Sequence, residues 1–107
     1  MPPGALLAIA IAVEVGATIA LRASDGFSKP LPTGIVVVGY ITSFWLLSLV
    51  LKHISVGTTY AIWAGAGTAA IAVIGIVALG EPATALKLAS IALIIAGVIG
   101  LNLSGAH

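Results

Sequence analysis

Four apolar segments, parted by short polar or Pro/Gly joints, constrain this chain more than any other feature. They run from about Gly4 to Leu21, Thr33 to Leu51, Val56 to Leu79 and Leu86 to Leu103 of 107 residues. Each is close to the roughly 20 residues that a helix rising about 1.5 Å per residue needs to cross some 30 Å of hydrocarbon. Backbone N–H and C=O groups find no water in lipid, so segments of this length are expected to be helices that satisfy those groups internally. The expected fold is therefore an all-α membrane protein of four spanning helices, forming a single domain over residues 1–107.

Composition agrees with a bilayer as the solvent. Charged residues make up 7% of the chain and apolar ones 61%, whereas soluble domains carry about 25% charged residues. Cysteine is absent, which removes disulfides and thiolate metal sites from consideration. No metal or cofactor is expected, and no catalytic constellation points to an enzyme. A formal charge of +1 gives no basis for a nucleic-acid partner. The first segment is not read as a cleaved signal peptide, because it lacks a basic start and a small-residue cleavage pattern and carries Glu14 at its centre. The first joint, Arg22 to Pro32, contains charges, Gly26 and two prolines and reads as a loop. Lys and Arg are nearly balanced across the membrane: Arg22, Lys29 and Lys87 fall on one side and Lys52 on the other. Such a small excess sets orientation only weakly, and charge counting leaves both one-way and two-way insertion open.

Glu14 stands alone in its apolar surroundings. A carboxylate at bilayer depth costs about 2.5–3.5 kcal/mol even on the gentler insertion scales, and such residues usually mark ion or substrate pathways. A structural carboxyl hydrogen-bonded to a neighbouring helix is the plainer alternative. Helical spacing places Ala10, Glu14, Ala17, Thr18 and Leu21 on one face of the first helix, leaving space beside the carboxylate. Tyr40, Ser43, Phe44 and Leu47 share a face of the second helix; Gly57, Tyr60, Trp63, Ala64 and Gly67 share one of the third. Together these helices offer one carboxylate, two phenols, a hydroxyl and aromatic rings to a common cavity. Tyr60, a few residues into its helix, also fits an interfacial anchor, while Trp45 falls off the Tyr40 face and reads as a packing or lipid-facing residue. Small residues in the first and third helices read mainly as packing surfaces. Gly65 and Gly67 could in addition mark a bend, and Gly97 is a small packing position of the fourth helix.

The order of these residues carries a resemblance. Glu14 in the first helix, Asp25-Gly26-Phe27 in the loop, Tyr40 with Ser43-Phe44-Trp45-Leu46-Leu47, Gly57 with Tyr60-Ala61-Ile62-Trp63, and Gly65-Ala66-Gly67 together resemble the small multidrug resistance family over nearly the whole chain. The resemblance implies an antiparallel, dual-topology homodimer in the bacterial inner membrane that exchanges protons for organic cations, with both competing for Glu14. Two branches of the family are relevant. Ala17, where the guanidinium branch has Trp, and the presence of Tyr40 favour exporters of lipophilic and quaternary ammonium cations. Ala64 stands where the multidrug branch usually has Ser, and Ser90 where the fourth helix usually has a packing glycine, while the stretch from Ser55 to Thr59 and the Gly80-Glu81 joint resemble the guanidinium branch.

Physical chemistry supports the same type of activity. One negative site can be occupied by a proton or by a cation, and aromatic walls suit poorly hydrated cations, which a ring face attracts by about 2 kcal/mol when desolvated. Ser43 and the phenols can hydrogen-bond the carboxylate or a polar substrate. Four helices are too few to enclose such a cavity and open it alternately, so a second copy in the membrane lipid is expected, and an antiparallel copy would make the two access states equivalent. A proton-binding structural or proteolipid subunit is the competing class. Tyr40, Tyr60 and Trp63 argue against it, since a proteolipid needs no aromatic cavity.

Overall fold

The computed structural model describes residues 2–104. Its described residues form four helices and no strand: α1 (Pro3–Ala23), α2 (Pro30–Val50), α3 (Val56–Ala78) and α4 (Ala85–Leu103). All four are long and apolar enough to cross a membrane. The helices cluster into two compact units, one ending at His53 and the other beginning at Ile54. Exposed apolar side chains are the rule along the helices: Leu31, Val77, Leu86 and Leu103 are between 77% and 83% exposed. A surface of this kind is stable where lipid is the solvent.

The first unit is a hairpin of α1 and α2. Its loop is shorter than the sequence suggests, because α2 starts at Pro30 instead of Thr33. Proline needs no N–H partner in the first helical turn and its φ already suits the helix, so Pro30 opens α2 as Pro3 opens α1. Ser24 organises the turn between them. Its side chain is fully buried, donates to the Leu21 carbonyl at 2.7 Å and accepts from the Phe27 amide at 3.1 Å. Its own carbonyl accepts from the amides of Ser28 and Lys29. Asp25, Gly26 and Phe27 all take positive φ, a left-handed stretch in which only the glycine is free of Cβ crowding.

Buried positions on the two helices recur at intervals of seven: Ala10 and Ala17 on α1, and Val36, Ser43 and Val50 on α2. That spacing keeps one stripe of each helix against the other over several turns. Two contacts fix the register. Ser43 donates to the carbonyl of Ala10 at 2.9 Å, and Gly39 approaches Ala17 so closely that an added Cβ would lie 2.7 Å from the Ala17 methyl. The neighbour is a rigid methyl group on a helix backbone, so it cannot rotate out of the way. Gly39→Ala is therefore expected to lower stability by about 1–3 kcal/mol, the usual cost of overpacking, with Ala17→Gly in the same chain recovering most of it. Reversible unfolding in mixed detergent micelles measures both. A Gly39→Ala protein as stable as the parent would show that the helices separate freely at this point.

The second unit pairs α3 with α4. Ser55 caps α3 by accepting from the Thr58 amide, and Thr84 caps α4 by accepting from the Lys87 amide. At the end of α3, Gly80 adopts a φ of +72°, and the turn brings the Glu81 amide back to the Gly75 carbonyl at 3.0 Å. Glu81 also pairs with Lys87 across the joint at 3.4 Å. Within the pair, Gly65 faces Val98 and Ile94, and Ile91 is the buried α4 residue. Helix α3 is unbroken through Gly65-Ala66-Gly67.

Candidate functional site

The carboxylate sits near the middle of α1, partly buried. One turn further on, Thr18 Oγ1 donates to α1 itself, lying 2.9 Å from the Glu14 carbonyl oxygen and 3.0 Å from Glu14 Oε1. The same hydroxyl is 2.7 Å from the Tyr40 hydroxyl of α2. Thr18 therefore connects the carboxylate to the phenol across the helix pair. Helical geometry explains the first link, since residues four apart stand one above the other. The second link follows from the close approach at Ala17 and Gly39, beside Thr18 and Tyr40 in the chain, which brings α2 within reach of a short side chain on α1.

The expected α1 face is present, but its small residues are covered. Ala10 and Ala17 are buried, while Glu14, Thr18 and Leu21 are only partly so. The room they leave is taken up by α2, because small side chains in lipid favour close helix contact. Ala17, 2% exposed beneath Gly39, has no space for a large ring unless α2 moves away. On α2, Ser43 is buried and its proton is directed to the Ala10 carbonyl. Leu47 is buried as well, Tyr40 is half-buried and Phe44 is 56% exposed. Trp45, at 61% exposed, lies on the outside of its helix.

In the second unit, Tyr60 and Trp63 stack edge to face with ring centroids 5.5 Å apart and planes at 87°. Tyr60 is mostly exposed and Trp63 half-buried. Electron-rich aromatic pairs of this kind present a ring face on which a cation can settle. Gly67 is buried and Gly65 packs on α4, whereas Gly97 is exposed with open space around it. Among the described residues no cluster of His, Cys, Asp or Glu could hold a metal ion.

An open apolar groove of about 640 Å³ also runs along the α1–α2 pair, lined by residues including Ala12, Gly16, Gly34 and Val38. Glu14 and Tyr40 are not among its lining residues, and nothing ionisable faces it.

Helical spacing leaves out the parts played by Thr18 and Gly39. Thr18 falls on the expected face with Glu14, yet spacing does not contain its role as the hydrogen-bonding centre of the cluster; a hydroxyl four residues after a lone membrane carboxylate is the signal for it. Gly39 lies outside every expected face. Its importance depends on what stands opposite, which no single-helix pattern contains.

Comparison with known proteins agrees with this architecture. The family model described as Small Multidrug Resistance protein matches residues 5–94. A guanidinium exporter of Escherichia coli K12 is 46% identical over 99 residues, covering 92% of this chain and 94% of the relative. A multidrug transporter of Pseudomonas aeruginosa is 46% identical over 97 residues, covering 91% of this chain and 88% of its own length. The quaternary ammonium compound-resistance protein QacE of Escherichia coli is 45% identical over the same length and coverage. With four helices of spanning length and bacterial relatives matched nearly end to end, the chain belongs to the small multidrug resistance family and is a multi-pass protein of the bacterial inner membrane.

Proposed function

We propose that the protein is a proton-coupled exporter of lipophilic and quaternary ammonium cations, in which protons and cations compete for Glu14. The observation that carries this reading is a carboxylate placed mid-span on a helix whose other surroundings are apolar, and hydrogen-bonded into a cluster with Thr18 and Tyr40. A group so expensive to insert is retained where it binds an ion. Tyr60 and Trp63 are assigned to the apolar body of the cation, Phe44 and Tyr40 to the same task on α2, and Ser43 to holding α2 in register. Ala10, Ala17, Leu47, Gly65 and Gly67 serve helix packing.

The acting unit is proposed to be an antiparallel homodimer, each chain contributing one four-helix domain. A single Glu14 offers one charge, and alternating access needs two equivalent openings, which a second inverted copy supplies. The near-balance of Lys and Arg is compatible with insertion in both directions.

Guanidinium export is the second reading, supported by the Escherichia coli relative that is named a guanidinium exporter. Identities of 46% and 45% to relatives named for different substrates do not separate the two. Binding does. Titration calorimetry of the purified protein with tetraphenylphosphonium and with guanidinium is expected to give the tighter complex with the aromatic cation. In Trp63→Ala that affinity should fall by about 30-fold, the equivalent of some 2 kcal/mol of cation–π attraction, with a comparable loss in Tyr60→Ala. Trp45→Ala should bind as the parent does. Preference for guanidinium would assign the protein to the second reading, and equal losses at Trp45 and Trp63 would remove the aromatic assignment.

A further inference from the structure

Thr18 has three oxygen neighbours and a single proton. Its hydroxyl lies 2.9 Å from the Glu14 carbonyl, 3.0 Å from Glu14 Oε1 and 2.7 Å from the Tyr40 hydroxyl. A hydroxyl donates once and accepts twice, a phenol can donate or accept, and an ionised carboxylate only accepts. These counts restrict the arrangement when Glu14 is ionised. If the Thr18 proton were turned to Tyr40, the carboxylate oxygen and the Thr18 oxygen would face each other without a proton between them, in a setting where an unmade bond to a charged group is costly. The Thr18 proton therefore points to Glu14, and Tyr40 must donate to Thr18. Protonation of Glu14 lifts the restriction, because the carboxyl can then donate to Thr18 and leave the Tyr40 proton free for other acceptors.

We propose that Thr18 is a positioning residue that transmits the charge state of Glu14 to the Tyr40 hydroxyl, so that the phenol offers only lone pairs while Glu14 is ionised. The proposal rests on the reading of Glu14 as the shared proton and cation site, and it adds a second ligand to that site. In the state that attracts a cation, Tyr40 is held as an acceptor, suited to the positive edge of a quaternary ammonium or to an N–H donor. In the protonated state its free proton opposes a cation. Carboxylate and phenol thus change together, which sharpens the exclusion of cation by proton beyond what one charge achieves.

The chain has two tyrosines, so tyrosine labelled with ¹³C at the ring ζ carbon gives two NMR signals, and Tyr40→Phe identifies one. In the α1–α2 hairpin the ionisable groups of this cluster are Glu14 and Tyr40. Arg22 is exposed one turn beyond Thr18, and Asp25, Lys29, Lys52 and His53 lie at the hairpin ends. His53→Gln controls for the histidine at the hairpin end.

The Tyr40 signal is expected to shift with pH in the parent, in His53→Gln and in Thr18→Ser, which keeps the hydroxyl. It should stay flat in Glu14→Gln and in Thr18→Val, which keeps the shape and loses the hydroxyl. Tetraphenylphosphonium should bind Thr18→Val about tenfold more weakly, the scale of one hydrogen bond in a charge-linked cluster, with Thr18→Ser close to the parent. A Tyr40 response as large in Thr18→Val as in the parent would overturn the proposal, since the charge would then act through space. A flat response in the parent would also overturn it. Cation binding that ignores pH, with the Tyr40 response intact, would remove the antiport reading and leave the role of Thr18 standing.

Discussion

Glu14→Gln is expected to reduce proton-driven cation efflux to the level of membranes without the protein, while leaving insertion and helix content unchanged. Gln keeps the size and hydrogen-bonding capacity of the side chain, so Thr18 retains a partner at the same place. It removes both the negative charge that attracts a cation and the acidic group that carries a proton. An exporter that exchanges one for the other cannot then run in either direction. Glu14→Asp should keep binding and change its pH dependence, because the shorter side chain draws the carboxylate back from the Thr18 hydroxyl. Efflux from vesicles carrying an imposed pH gradient measures all three proteins. Undiminished efflux by Glu14→Gln would place the site elsewhere.

The second large effect concerns orientation. Arg22, Lys29 and Lys87 oppose Lys52, an imbalance that a few added lysines can outweigh, because basic residues in short loops resist translocation. A variant with lysines added beside Lys52, and another with lysines added in the Ser24–Lys29 turn, should each insert one way. If the exporter is an antiparallel pair, each variant alone loses resistance to a quaternary ammonium compound, and coexpression restores it to nearly the parental level. Growth assays with the variants expressed singly and together test this. Full resistance from either variant alone would exclude the antiparallel arrangement and leave competition at Glu14 possible in a parallel dimer.

The helices were legible in the sequence because lipid forces each apolar stretch of sufficient length into one. Their ends were less so. Pro30 and Pro32 read as loop residues, although proline is at home in a first helical turn, and α2 begins with them. In the candidate site, the face carrying Glu14 and Thr18 followed from helical spacing alone. The link to Tyr40 did not, since it depends on how closely α2 approaches, which Ala17 and Gly39 determine jointly from different helices. Nor could spacing indicate that Ser43 directs its proton to the Ala10 carbonyl. A hydroxyl on a helix face is equally suited to a ligand, a carboxylate or a backbone oxygen, and only the opposing helix decides among them.

Competition between proton and cation at Glu14 is the centre of the functional reading, and proton release on binding measures it without transport. Purified protein is held in weakly buffered detergent solution at a series of pH values, and tetraphenylphosphonium is added to saturation with a pH indicator present. The account predicts acidification in proportion to the protein, a cation affinity that weakens as the medium is made more acidic, and neither effect in Glu14→Gln. Saturable binding with no proton released, or release that persists in Glu14→Gln, would contradict it.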